Sequence, residues 1–241
     1  MSDPDALPAL AGVLPAAGAP RARVVAVVGP PNSGKSTLFN RLTGLRQKVA
    51  NFPGVTVEQH VGKLKIEDAA ELDIIDLPGV YSLTPRSEDE QVTHDVLMGR
   101  MPGVPKPDTI LLILDVTNLG RHLVLAAPIL ALGLPTLVVL NMADELEKRG
   151  GEVEAEALAR RLGAPVALIS AATGEGYDTV LQFLRGRIGV PRPMDLLPVL
   201  SDLPRCREWA ARMGEAARYQ APAPPVWTRR LDSLFLHPVA G

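Results

Sequence analysis

Residues 24–40, VVAVVGPPNSGKSTLFN, decide the fold. Val24 to Val28 are an unbroken apolar run, the pattern of a strand buried on both faces. A turn of Gly29-Pro30-Pro31-Asn32-Ser33-Gly34 follows, then Lys35-Ser36-Thr37 opening a helical pattern that closes at Gly44. Gly29 to Ser36 fit G-x-x-x-x-G-K-[ST] in full. In such a loop the backbone amides face inward as an anion nest, and the helix adds its positive N-terminal end. Lys35 is expected to reach the β and γ phosphates of a nucleotide. The Ser36 hydroxyl is expected on Mg²⁺, with Thr37 beside it in the same cradle.

Outward from this loop, strand-like and helix-like segments alternate from about residue 23 to 188. DTILLILDVTN, PTLVVLNMAD and APVALISAATG are apolar runs suited to parallel strands covered on both sides. AELDIIDLPG is a shorter strand, and VTVEQHVGKLKIED alternates as a half-exposed strand does. Ala155, Leu158, Ala159 and Leu162 share one face of a helical pattern. In LGRHLVLAAPILALG, Pro128 is expected to kink or end the helix. The order predicts an α/β fold, a doubly wound and mostly parallel sheet, with a small C-terminal helical subdomain.

Three parts are expected: a mobile Ala/Pro/Gly tail at 1–22, a nucleotide-binding domain at 23–189, and a linker with helical subdomain at 190–241. The last part is too short for its own core, so it should pack on the main domain or on something further along a longer protein.

Composition narrows the function. The 241 residues are 46% hydrophobic and 22% charged, with a formal net charge of −2. That balance suits a globular protein and carries no electrostatic footprint for nucleic acid or an acidic membrane. The single cysteine, Cys206, excludes an internal disulfide framework and reads as a small apolar residue. No apolar run is long enough to span a bilayer, and the proline-broken N-terminus lacks the form of a signal peptide.

Three further motifs stand at strand ends. Asp76-Leu77-Pro78-Gly79 is a D-x-x-G: Asp76 can hold Mg²⁺ through water, and the Gly79 amide can contact a γ-phosphate. Asn141-Met142-Ala143-Asp144 is similar to the guanine motif N-K-x-D. The Asp144 carboxylate can accept from N1–H and the 2-amino group of guanine, a donor pair that adenine lacks. Asn141 would tie this loop to the phosphate loop or accept from the base, and Met142 would cover the ring face where Lys is usual. Ser170-Ala171-Ala172 is similar to the S-A-K element, whose amide meets guanine O6. Thr56, between the first helix and the VTVEQH strand, is the candidate switch threonine for Mg²⁺; Thr43 is a poor rival because it falls inside the first helix. The expected catalytic set is Lys35, Thr56 and Gly79.

GPPNSGKSTLFNRLTG, VANFPGVTVE, DLPGVYSLTP, EDEQVTHDVL, the stretch DVTNLGRHLVLAAPILALGLPTLVVLNMAD and HPVAG together resemble the cytosolic N-terminal part of ferrous iron transport protein B. The resemblance is close over about 23–189 and looser over 200–241. It implies a GTPase domain, a helical domain that slows GDP release, and a polytopic membrane domain that moves Fe²⁺. TRRLDSLFLHPVAG then resembles the segment before the first membrane helix, so the chain is expected on the cytoplasmic face of a bacterial inner membrane. Its own membrane domain, small accessory proteins of the same system and self-association are the implied partners. The helical region is shorter than the family usually shows.

The resemblance also places a K⁺ ligand at Asn32, which implies slow, K⁺-stimulated hydrolysis. Val80 stands where many GTPases have the Gln that orients water. A switch-loop amide or an acidic residue of Glu88-Asp89-Glu90 is the candidate substitute; the plainer reading of that acidic run is a solvated helix start. His60, His94, His122 and His237 are scattered without metal-ligand spacing. The rival readings are a ribosome-assembly GTPase, which would want a basic appended domain, a P-loop ATPase or kinase, which Asn141 and Asp144 oppose, and a nucleotide-gated scaffold with negligible turnover.

Overall fold

A computed structural model describes residues 24–45, 47–66, 71–188, 197 and 203–224. The tail expected at 1–22, most of the linker, and the closing pattern with HPVAG lie outside the described residues.

One sheet has the strand order β2-β3-β4-β1-β5-β6-β7. Its strands are β1 (Val24–Val28), β2 (Gln47–Asn51), β3 (Glu58–Leu64), β4 (Leu72–Asp76), β5 (Thr109–Asp115), β6 (Thr136–Asn141) and β7 (Val166–Leu168). From β4 through β7 all pairings are parallel, while β3 runs antiparallel to both β2 and β4. From β1 the chain crosses to the edge strand β2 and steps back inward through β3 and β4, then moves outward on the other side through β5, β6 and β7. The phosphate loop follows β1, at the carboxyl end of the strand where the order reverses, the usual place for ligand crevices in open α/β sheets.

Period-two alternation sends each central strand into two cores. Val25, Val27, Leu111, Ile113, Leu137 and Val139 face α1 (Lys35–Thr43) and α7 (Tyr177–Leu184). Ala26, Val28, Leu112, Leu114, Val138 and Leu140 face the opposite layer. That layer holds α2 (Glu88–Met98), α3 (Leu119–His122), α4 (Ala126–Leu130), α5 (Ala143–Lys148), α6 (Ala155–Leu162) and α8 (Leu203–Ala216). Both faces are covered, which is why these strands read as continuous apolar runs.

Two details depart from the sequence reading. β2 was not expected: QKVAN has little apolar character, and all five residues are exposed on the sheet edge, held by pairing with β3. The LGRHLVLAAPILALG stretch is α3, one 3₁₀ turn at Leu123–Leu125, then α4. Pro128 has no N–H for the Val124 carbonyl, four residues back, so the tighter turn falls where the α ladder is cut.

α8 begins at Leu203, with Pro204 tolerated in its first helical turn. Trp209, Ala210, Met213 and Ala217 enter the same core as α3, α4 and α6. Past the helix, Gln220 pairs with Glu152 as an isolated bridge, and the Glu154 amide donates to the Ala217 carbonyl at 2.7 Å.

Candidate nucleotide site

Asn32 and Gly34 take positive φ, 61° and 84°, the alternation that curls successive amides into an anion nest. Gly34 is needed for a second reason: a Cβ there would lie 2.0 Å from Asn141 Nδ2. Gly29 likewise has no room, since its Cβ would meet the Ile113 carbonyl of β5 at 2.2 Å. The loop therefore rests directly on the neighbouring strands. Asn32 is exposed at the loop tip, and Ser33 is fully buried with its hydroxyl unpartnered.

Lys35 and Asp76 are both buried, and Lys35 Nζ donates to Asp76 Oδ1 at 2.7 Å. Ser36 Oγ lies 3.4 Å from Asp76 Oδ2, donating to it. Two hard oxygens thus converge beside the lysine, a donor set of the type that suits Mg²⁺. Thr37 sits exposed in the first turn of α1, at the mouth of the loop.

The D-x-x-G segment docks on the phosphate loop through its backbone. Leu77 N–H donates to the Val27 carbonyl at 3.0 Å, and Val80 N–H to the Gly29 carbonyl at 3.1 Å. A Cβ on Gly79 would stand 3.1 Å from Pro31, so glycine and proline lie face to face. That contact gives Pro31 a structural reason. Val80 is 2% exposed and lies in the core, not over the site.

The first switch candidate is the turn at 52–57, between β2 and β3. Phe52 is buried as its anchor; its N–H donates to the Val57 carbonyl, and its carbonyl accepts from Val55 N–H. Thr56 is exposed, and its hydroxyl donates to Glu88 Oε2 at 3.1 Å. The acidic run forms the first turn of α2. Ser87 caps that turn by accepting Glu90 N–H at 3.2 Å, where negative side chains favour the helix dipole.

The end that carries the candidate guanine motifs is built by β6 and the segment after β7. Asn141 is 3% exposed; its Nδ2 donates to the Ser33 carbonyl at 2.9 Å, and its Oδ1 accepts Ala171 N–H at 2.8 Å. One side chain thus joins all three loops. Met142 turns the chain with φ 69° to start α5. A hydrogen bond from Ser170 holds the Asp144 carboxyl below the usual carboxylate range, helped by Lys148. The segment 170–176 folds on itself: Ser170 N–H donates to the Glu175 carbonyl, and Thr173 N–H to Ser170 Oγ.

The site also contains a residue that the sequence motifs do not single out. Arg41, near the end of α1, donates from Nε to the Ala171 carbonyl at 2.9 Å and from Nη2 to the Ala172 carbonyl at 2.8 Å. Only an arginine in a helix facing an unrelated loop would have signalled it. Phosphate nest, buried Lys–Asp pair and carboxylate-bearing loop lie along one end of the sheet. They suit a ligand with an anionic tail and a donor-rich head.

A model of the family described as ferrous iron transport protein B matches residues 23–184. The chain is 43% identical over 158 residues to an Fe(2+) transporter FeoB of Leptospira biflexa, an alignment covering 66% of this chain and 22% of that protein. It is 38% identical over 174 residues to a fusion of Fe(2+) transport protein A with Fe(2+) transporter FeoB from Porphyromonas gingivalis, covering 70% and 20%. The chain thus spans about a fifth of the length of these curated relatives. The crystal structure of the cytosolic domain of the T. maritima FeoB iron transporter in its GMPPNP form is similar at a TM-score of 0.71 and 27% identity, covering 81% of this chain and 98% of that one.

Proposed function

The chain belongs to the family of the N-terminal domain of ferrous iron transport protein B, and we propose that it binds and slowly hydrolyses GTP to regulate Fe²⁺ movement through a membrane domain of the same protein. The observation that carries this reading is Asn141, which ties the phosphate loop to the base-reading loops and so sets phosphate and base recognition at a fixed spacing. Phosphate recognition falls to the nest of Gly29, Asn32, Ser33, Gly34, Lys35, Ser36 and Thr37. Guanine recognition falls to Asn141, Met142, Asp144 and the Ser170-Ala171-Ala172 segment. Because the Asp144 carboxyl is held ionised, it can accept two guanine donors at neutral pH.

Ser36 and Asp76, with Thr56 when GTP is bound, would hold Mg²⁺, and Asn32 would hold K⁺; the two cations supply positive charge where the γ-phosphate builds up negative charge. Lys35 must leave Asp76 to meet the phosphates, and Thr56 must leave Glu88 to reach the metal. The Thr56 exchange and the Gly79 amide contact respond to the γ-phosphate, which gives the 52–57 and 76–80 segments two states. Gly79 offers its amide to the γ-phosphate. With Val80 buried, a backbone amide of 52–57 is the better candidate to orient water. Slow turnover follows from that lack of a side-chain positioner.

The membrane domain, the Fe²⁺ cargo and the cytoplasmic location at a bacterial inner membrane come by analogy with the longer relatives. The fused Porphyromonas relative supports a small accessory protein as a partner.

The test is steady-state GTP hydrolysis in K⁺ and Na⁺ buffers, on the wild-type chain and on Asn32→Ala and Asp144→Asn. We expect faster turnover in K⁺, loss of that difference in Asn32→Ala, and loss of GTP preference in Asp144→Asn. Equal rates in both salts remove the K⁺ assignment; unchanged preference in Asp144→Asn removes the guanine assignment.

A further inference from the structure

We propose that Arg41 is a positioning residue for base recognition: it aims the backbone amide of Ala172 at the O6 edge of guanine and so sets nucleotide residence time. The proposal rests on the guanine reading above and goes beyond it to a residue outside the four motifs.

The peptide plane sets the direction of the amide. In a trans peptide the C=O of one residue and the N–H of the next point in opposite directions. The Ala171 carbonyl is held by Arg41 Nε at 2.9 Å, so the Ala172 N–H must point away from α1. The Ala171 N–H is already engaged by Asn141 Oδ1 at 2.8 Å. Ala171 is therefore gripped at both backbone groups by two side chains from different elements. The exposed Ala172 amide is the donor whose direction the grip determines.

The chemistry calls for arginine. Its planar fork meets two consecutive carbonyls, those of Ala171 and Ala172, which a single ammonium cannot match in direction. Gly174 lets the guanidinium lie against the loop, since a Cβ there would stand 2.6 Å from Nη1. Arg41 belongs to the helix whose first turn carries Lys35 and Ser36. Phosphate binding at one end of α1 and base reading beside the other are thus linked through one rigid element.

The test uses the wild-type chain, Arg41→Ala and Arg41→Lys. Arg41 is exposed, and alanine suits a helix, so the variants keep the fold. Release of a fluorescent mant-GDP is measured by stopped flow. Affinity is compared for GDP, for the 2-aminopurine riboside diphosphate that lacks O6, and for IDP that lacks the 2-amino group. For Arg41→Ala we expect release about tenfold faster, the equivalent of one charge-assisted hydrogen bond at a part-exposed site. Discrimination against the O6-less analogue should fall by a similar factor while the IDP penalty holds. Arg41→Lys should lie between. Unchanged release, or all three nucleotides weakened by one common factor, overturns the proposal; the second result would mean a tether without a recognition role. A wild-type chain that does not prefer GDP to ADP overturns this and the guanine reading together, whereas a GDP-preferring wild type with an unaltered Arg41→Ala overturns only this.

Discussion

Replacing Asn141 with alanine removes two buried hydrogen bonds at once and leaves the Ser33 carbonyl and the Ala171 amide without their partner. Asn141 is 3% exposed, so water does not readily replace it. An orphaned buried backbone group costs about 1–3 kcal/mol, which gives about 2–6 kcal/mol for the pair. A mid-range loss of about 3–4 kcal/mol should lower Tm by roughly 10 °C in a chain of this size. The assay is urea unfolding followed by circular dichroism without nucleotide, with the slope checked so that only the midpoint moves. Asn141→Asp makes a second arm. It keeps an acceptor for Ala171 N–H but sets a carboxylate oxygen against the Ser33 carbonyl, so it should cost at least as much as alanine. A loss below about 1 kcal/mol for Asn141→Ala would refute the reasoning, because the orphaned groups would then have found other partners.

Two further outcomes are expected. Trp209→Ala should cost about 3–5 kcal/mol by urea unfolding, as for other large core truncations. Trp209→Phe should cost no more than about 1 kcal/mol, because the indole Nε1–H is buried without a partner and its removal offsets the lost packing; a cost equal to alanine's would contradict this. His122 should make stability fall in acid. Burial pushes its imidazole below the ordinary value, against a smaller opposing pull from Asp115. Its Nδ1 accepts the Asp115 N–H at 3.1 Å and so must be unprotonated. The unfolded chain therefore takes up the proton first: the contribution is complete above the unfolded pKa, about 6.5, and is lost as pH falls through it towards the lower folded value. His122→Gln should flatten the difference in unfolding free energy between pH 7.5 and 5.5; an unchanged difference would locate the acid sensitivity elsewhere.

The fold was readable wherever burial imposes a strict pattern. Val24–Val28, Thr109–Asp115 and Thr136–Asn141 are buried throughout, and short, β-branched apolar runs bounded by turns read as two-sided strands. β2 left no such trace because its residues face solvent and owe their conformation to the β3 ladder alone. Pro128 marked a break in its helix, but only the structure set the tighter turn at Leu123–Leu125, a turn ahead of it. At the site, motif residues were legible because phosphate and base chemistry restrict residue type. Arg41 was not: its partners are backbone carbonyls 130 and 131 positions away, which accept from any donor and leave no motif. Pro31 packs against Gly79, a contact that no motif announces.

The way Trp209 and its neighbours enter the sheet's own core has a practical side. A shortened protein ending near residue 188 would keep every nucleotide-binding motif and look sufficient on paper. It would also lay bare the seat that Trp209, Ala210 and Met213 occupy, next to α3, which follows β5 after the short turn at Val116–Asn118. Exposed apolar seats of this kind recruit whatever apolar surface is nearest, a second copy included. Turnover or exchange rates taken from such a truncated form would partly report that stickiness. A shorter form is better ended beyond Tyr219, which also packs on this core, and beyond the Gln220 bridge to Glu152, and not at the proline-rich stretch where composition changes.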